Sequence, residues 1–177
     1  MHNIVLEGSL CRLRPYRAED APALAEVAND ARIVRWMTRQ FPHPYTPREA
    51  ARWIAIATGD GDDVHLAIEV NGVLAGGIGI IPLSGERGGT AILGYWLGPA
   101  FWRRGIATEA VRLLSAHALS DGGFHRLEAC LFADNVASAR VLENAGFVRE
   151  ATLRAYYVDR SDRICDGFLY ARTASQR

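Results

Sequence analysis

Residues 88–114 read G-G-T-A-I-L-G-Y-W-L-G-P-A-F-W-R-R-G-I-A-T-E-A-V-R-L-L. The β-branched and aromatic run from Thr90 to Leu97 predicts a strand. Gly98-Pro99 then breaks it, Arg103-Arg104-Gly105 forms a tight basic turn, and Ala107, Ala110, Val111, Leu114 and Ala118 recur at helical spacing. The first turn of a helix carries N–H groups with no partner inside the helix, together with the positive end of its dipole. With Gly105 and Ala107 at that point, almost no side chain keeps a ligand off the amides. The stretch is therefore a seat for phosphate. A glycine corner chosen for steric reasons alone gives the same letters, so the reading needs support from elsewhere in the chain.

Support comes downstream. Arg126 to Phe132 reads as another strand, and Val136 to Ala145 as a helix capped by Asp134 or Asn135 and stopped at Gly146. Further out, alternation predicts a first strand near residues 9–14, and a helix runs within Glu19–Ala28. Thr46-Pro47-Arg48-Glu49 is a capping box that opens a helix over 47–57. Val64–Val70 and Val73–Ile81 flank Asn71-Gly72, the turn of a hairpin. Gly76, Gly77 and Gly79 inside the second of these strands mark a bulge or close packing. Phe147–Leu153 and Ile164–Ala171 complete the sheet.

Gly94-Tyr95-Trp96-Leu97, Trp102 to Ala110, Asn135, Ser138, Val141-Leu142-Glu143 and Gly146-Phe147 together resemble the GNAT acyltransferase superfamily, in its ribosomal-protein-alanine N-acetyltransferase-like branch. The resemblance is specific between about Ile92 and Phe147. It departs from the general pattern at Trp102, where Gln or Arg is usual. It implies one domain over residues 1–177 of mixed α/β (α+β) class. That domain has a central, mostly antiparallel, twisted sheet of about seven strands, splayed at the coenzyme site and flanked by about four helices.

The same resemblance implies an acetyl-CoA-dependent N-acetyltransferase that passes the acetyl group directly to a primary amine. Pantetheine would run along the main chain of Tyr95, Trp96 and Leu97, and the diphosphate would lie on Arg103, Arg104, Gly105, Ile106, Ala107 and Thr108. Asn135 would bind the pantetheine arm, with plain helix capping as its other reading. Ser138 would face the coenzyme sulfur, or else be a small polar residue in a first helical turn. Glu128 is the candidate base, or a strand glutamate paired with Arg126. Cys130 shares its face and reads as packing. Trp36, Tyr45 and Tyr156 are candidate acceptor contacts, because loops at the mouth of a rigid sheet carry recognition.

The resemblance implies as acceptor either the N-terminal α-amine of a protein, such as a ribosomal protein, or the amine of a small molecule. Making a lysine neutral at pH 7 costs about 4–5 kcal/mol, against about 1 kcal/mol for an α-amine. An α-amine therefore needs a weaker base. The competing class is a non-catalytic acyl-CoA sensor or interaction domain with the same fold. A nucleotide-binding Rossmann protein lacks its glycine fingerprint here.

Twenty basic residues balance twenty acidic ones, so no broad field recruits nucleic acid or an anionic membrane. No run approaches a membrane span, and the start of the chain does not read as a signal peptide. Cys11, Cys130 and Cys165 are odd in number and lack metal-ligand spacing, as do His2, His43, His65, His117 and His125. Asp60, Asp62 and Asp63 read as a solvated turn rather than a calcium loop. A cytoplasmic protein with reduced thiols and no metal is expected, as a monomer or homodimer.

Overall fold

The computed structural model describes residues 4–174; His2 lies outside them. Its architecture follows from short-range signals that agree with one another. Asn71 and Gly72 take φ of 49° and 79°, the pair of left-handed residues a two-residue hairpin requires. They join β3 (Val64–Val70) to β4 (Val73–Pro82). Thr46 Oγ1 accepts from the Glu49 N–H, opening α3 (Pro47–Ala57) at the expected residue. The strands β5 (Thr90–Leu97) and β6 (Arg126–Phe132) also have the expected bounds.

The remaining elements are β1 (Leu6–Glu7), β2 (Arg12–Pro15), α1 (Ala21–Ala28), α2 (Ala31–Val34), α4 (Ile106–Ser120), α5 (Val136–Asn144), β7 (Val148–Val158) and β8 (Ile164–Thr173). Among the described residues, eight strands and five α-helices thus stand where about seven and four were expected. The additions are β1, of two residues, and α2, of four. Neither is long enough to show a period. β7 also runs five residues past Leu153, through irregular pairing between Leu153 and Tyr157.

All eight strands form one sheet in the order β1-β2-β3-β4-β5-β6-β8-β7. Every neighbouring pair is antiparallel except β5 with β6. That parallel step is required because α4 carries the chain from β5 across to β6. One face of the sheet packs under α4 and α5, burying Ile80, Leu93, Leu114, Leu127 and Leu142. The other face carries α1 and α3 over β2–β4, burying Tyr16, Leu24, Ile54 and Ala67. Close packing there explains Gly77, whose added Cβ would lie 2.4 Å from Tyr16 Oη and 2.8 Å from Trp96 Nε1. No helix among the described residues is long and apolar enough to cross a membrane.

Candidate active site

The two strands at the parallel step are joined only at their beginnings. Thr90, Ala91 and Ile92 pair with Arg126, Leu127 and Glu128, and the register ends there. β5 meanwhile stays paired with β4 through Leu97. Main-chain bonds from Leu83 N–H to Thr90 O and from Gly98 N–H to Ala75 O mark which residues face β4. By alternation those are the even-numbered ones. Leu93, Tyr95 and Leu97 therefore turn their peptide groups toward the gap where β6 has moved away. Trp96, expected to offer its backbone to a ligand, turns it toward β4 instead and contributes its side chain to the wall.

A cavity of about 1000 Å³ occupies the gap, running from Gly105 past Tyr95 and Ser138 to Trp36 and Arg160. A smaller hollow of about 520 Å³ adjoins it at Trp36, Phe132, Asp159 and Arg160. At the first end stands the start of α4. Gly105 is its N-cap with φ of 78°, preceded by Arg103 with φ of 59°. The N–H groups of Ile106, Ala107 and Thr108 precede the first helical bond, which Glu109 N–H makes to Gly105 O. Arg104 lies over the Phe101 ring, and neither Arg103 nor Arg104 has a carboxylate partner among the described residues. The donors expected to hold a diphosphate are thus gathered and open.

Two contacts brace this corner. Trp102 Nε1 donates to Leu97 O at 2.6 Å, tying the turn to the end of β5. The Glu109 carboxylate accepts from the N–H groups of Ser9, Leu10 and Cys11 and from Ser9 Oγ, at 2.7–3.0 Å. Burial alone would raise this carboxyl, but those four donors outweigh it and hold it below the usual range. One side chain in the first turn of α4 thereby fastens the loop before β2. No sequence motif signals that contact.

Across the gap, Asn135 Oδ1 accepts from the Ser138 N–H at 3.2 Å and caps α5. Its amide nitrogen is left to donate elsewhere, so capping and ligand binding are compatible in one side chain. Ser138 Oγ sits 2.7 Å from Tyr95 Oη, and Tyr95 Oη also reaches Ser138 O at 3.1 Å. Burial raises the Tyr95 phenol well above its ordinary value; the Ser138 bond draws it back only in part, and Tyr170 adds to the rise.

Glu128 occupies the last paired rung, on the sheet face opposite α4, outside the lining of the cavity. Its carboxylate is gripped by Arg126 Nε at 2.8 Å and by Arg87 Nη2, and Arg126 continues to Glu150. Burial pushes this carboxyl up, yet the bonds from Arg126 and Arg87 win and leave it below the usual value. An acid held down in this way is a weak base, which favours the paired reading over the catalytic one. Cys130, on the same face, lines the cavity; desolvation and Glu128 push its thiol up, against the bond from Tyr156 and the charge of Arg87.

Among the expected acceptor contacts, Trp36 lines both hollows. Tyr45 does not reach them: it is 5% exposed, packed on Phe41 under α1 and α3. Tyr156 is exposed beside Cys130 and Tyr157, outside the cavity lining. The wall is made instead by Phe132 and Tyr157, stacked at 4.3 Å, with Trp36 tilted against Phe132. Phe132 shares its face with Glu128 and Cys130 by the strand period, and Tyr157, which the sequence also offers as a pocket aromatic, reaches the wall through the irregular end of β7. Arg160 also borders the cavity, with its guanidinium on Val34 O, Thr38 O and Phe41 O.

A family model described as an acetyltransferase (GNAT) domain matches residues 11–148. The probable N-acetyltransferase YjcK of Bacillus subtilis is 46% identical over 65 residues, 37% of this chain and 36% of that protein. Uncharacterized N-acetyltransferase YoaA of the same organism is 28% identical over 166 residues, 86% of this chain and 87% of that protein. Among solved structures, RimJ of Mycobacterium smegmatis in complex with CoA-disulfide superposes with a TM-score of 0.87 at 25% identity, covering 98% of this chain and 90% of that one.

Proposed function

Because this chain belongs to the acetyltransferase (GNAT) domain family, we propose that it carries the acetyl group of acetyl-CoA directly to a primary α-amine. The observation that supports this reading is the unclosed gap between β5 and β6, which leads from free strand peptides to the open start of α4. Pantetheine fits the gap as a substitute strand, bonding the peptide groups of Leu93 and Tyr95 and the Leu97 N–H, the Leu97 carbonyl being held by Trp102. The diphosphate fits the N–H groups of Gly105 to Thr108, with Arg103 and Arg104, which have no carboxylate partner among the described residues, beside them. The Asn135 amide nitrogen donates to the pantetheine arm, and the first turn of α5 brings Ser138 Oγ to the sulfur.

The acceptor approaches from the sheet face that α1 and α3 leave open, past Trp36, Phe132 and Tyr157. Its nitrogen attacks the thioester carbonyl carbon, the C–S bond breaks, and the electron pair stays on sulfur. The amine proton passes to water. Glu128, paired with two arginines, supplies little basicity, so the acceptor must arrive largely neutral. An α-amine meets that condition near neutral pH, and a lysine side chain does not. The α-amine belongs either to a protein N-terminus, including that of a ribosomal protein, or to a small molecule.

Release of CoA thiol from acetyl-CoA, followed across peptides, amino-acid amides and polyamines, tests the reading. Turnover of α-amines is expected to exceed that of lysine-type amines by on the order of a hundredfold at pH 7.5. Coenzyme binding without turnover of any amine would make the chain an acyl-CoA-binding domain instead.

A further inference from the structure

Tyr95 presents two faces to the gap: its peptide group, and a side chain that the family pattern leaves without a task. Its hydroxyl meets both oxygens of a single residue 43 positions away, Ser138 Oγ at 2.7 Å and Ser138 O at 3.1 Å. We infer that Tyr95 is the positioning residue for Ser138, its hydroxyl switching from the Ser138 carbonyl to Ser138 Oγ so that the serine hydrogen turns onto the departing sulfur. This inference rests on the reading of Ser138 as the partner of the coenzyme sulfur.

The hydrogen inventory carries the argument. A phenol has one hydrogen, a serine hydroxyl has one, and a carbonyl has none. At rest both contacts are satisfied in a single way: Tyr95 donates to Ser138 O, and Ser138 Oγ donates to Tyr95 Oη. In that arrangement the serine hydrogen points away from the gap. When the C–S bond breaks and negative charge grows on sulfur, Ser138 rotates its hydrogen toward the charge. Tyr95 then moves its own hydrogen from the carbonyl to Ser138 Oγ, so that the serine oxygen gives one hydrogen bond and receives one. No covalent proton transfer takes place within the pair. Sulfur keeps the electron pair from the broken bond as a hydrogen-bonded thiolate, and the proton that finally neutralises it comes from water.

Tyr95 is suited to this task because it stays neutral. Burial, opposed in part by the Ser138 bond and reinforced by Tyr170, holds its phenol above the ordinary value. Tyr170 is itself engaged, donating to Glu143 Oε1 at 2.8 Å. Without Tyr95, the Ser138 hydroxyl is free to turn back onto a carbonyl of its own chain, the usual habit of serine near a helix start. The N-terminus of α5 adds its dipole to the same spot, which favours a thiolate there.

The test uses Tyr95→Phe, Ser138→Ala and the double variant in the full-length chain. Tyr95→Phe keeps the ring and its packing. The readouts are kcat and KM with acetyl-CoA, the thiol pKa of bound CoA followed by thiolate absorbance, and the affinity for desulfo-CoA, which lacks the sulfur. Tyr95→Phe is expected to lower kcat about tenfold with KM nearly unchanged, and to raise the bound thiol pKa. Desulfo-CoA affinity stays at the wild-type level, and the double variant is no slower than Ser138→Ala alone. A bound thiol pKa unchanged by Tyr95→Phe overturns the inference, as does a Tyr95→Phe loss that persists in full in the Ser138→Ala background. Wild-type protein that binds no CoA would instead overturn the acetyltransfer reading beneath it.

Discussion

Gly105 does two jobs with no side chain. Its φ of 78° turns the chain into α4, a conformation that costs other residues about 1–2 kcal/mol, and its bare Cα leaves the amides open. Gly105→Glu is expected to weaken CoA binding by at least about a hundredfold, since it adds a carboxylate at the proposed diphosphate seat. Gly105→Ala carries the strain and sets a Cβ 3.2 Å from Leu10 Cδ1, and should lower thermal stability while keeping most of the affinity. Titration calorimetry with CoA beside a thermal melt separates the two, and an unchanged affinity in Gly105→Glu would remove the seat. Residues of this kind are legible in sequence because their function is backbone geometry, written in the local pattern of small residues. The sequence singles out Tyr95 and Ser138 separately, but not their contact, which depends on how two elements meet in space. Tyr45 misled for the converse reason: an aromatic in a loop is spelled the same way whether it lines a groove or sinks into a core.

At the scale of elements, the two sides of the cavity mouth beside Trp36 are pinned together. The β7–β8 turn sends Arg160 to three carbonyls between Val34 and Phe41, and Arg39 Nη2 answers with bonds to Asp159 O and the Asp162 carboxylate. Arg160→Ala unpins the loop that presents Trp36. It should raise KM for the acceptor about tenfold, the equivalent of one or two charge-assisted hydrogen bonds in a partly exposed setting, with CoA affinity preserved. Steady-state kinetics with each substrate varied in turn checks it, and equal losses for both substrates would contradict this account. The regular strands were readable from alternation and turn residues. The loop at Trp36 and the turn after Tyr156 were also readable as aromatic segments at the mouth, but not the structure that carries them: α2 has four residues, and β7 reaches Tyr157 only through an irregular step at Ala155, with φ of 51°.

For the molecule as a whole, the paired carboxylates set the acid limit of stability. Burial would raise Asp20, but bonds from Arg14 and Arg17 bring it below the ordinary value, and Glu109 and Glu128 follow the same pattern. Each folded-state pKa lies below its unfolded counterpart. Each group therefore stabilises the fold above the unfolded value, about 4, and that contribution disappears as pH falls through the folded value. At the other limit, burial and the neighbouring Glu109 push the Cys11 thiol up to about 12. Its contribution is complete below the unfolded value, about 8.5, and is lost as pH climbs toward the folded one. Urea unfolding from pH 3 to 10 should give a plateau between about pH 5 and 8 with decline on both sides. A stability that kept rising below pH 4 would contradict these pairings.

The three-residue seam between β5 and β6 gives the sheet the form of a book bound at one corner. The leaf from β1 to β5 and the leaf of β6, β8 and β7 share a short spine, and an acyl carrier slipped between them would serve as the missing stitching. Cargo is then also scaffold. Loading would stiffen both leaves together, and amide hydrogens on Tyr95 and on the far strand β7 would slow their exchange in step with the supply of acetyl-CoA.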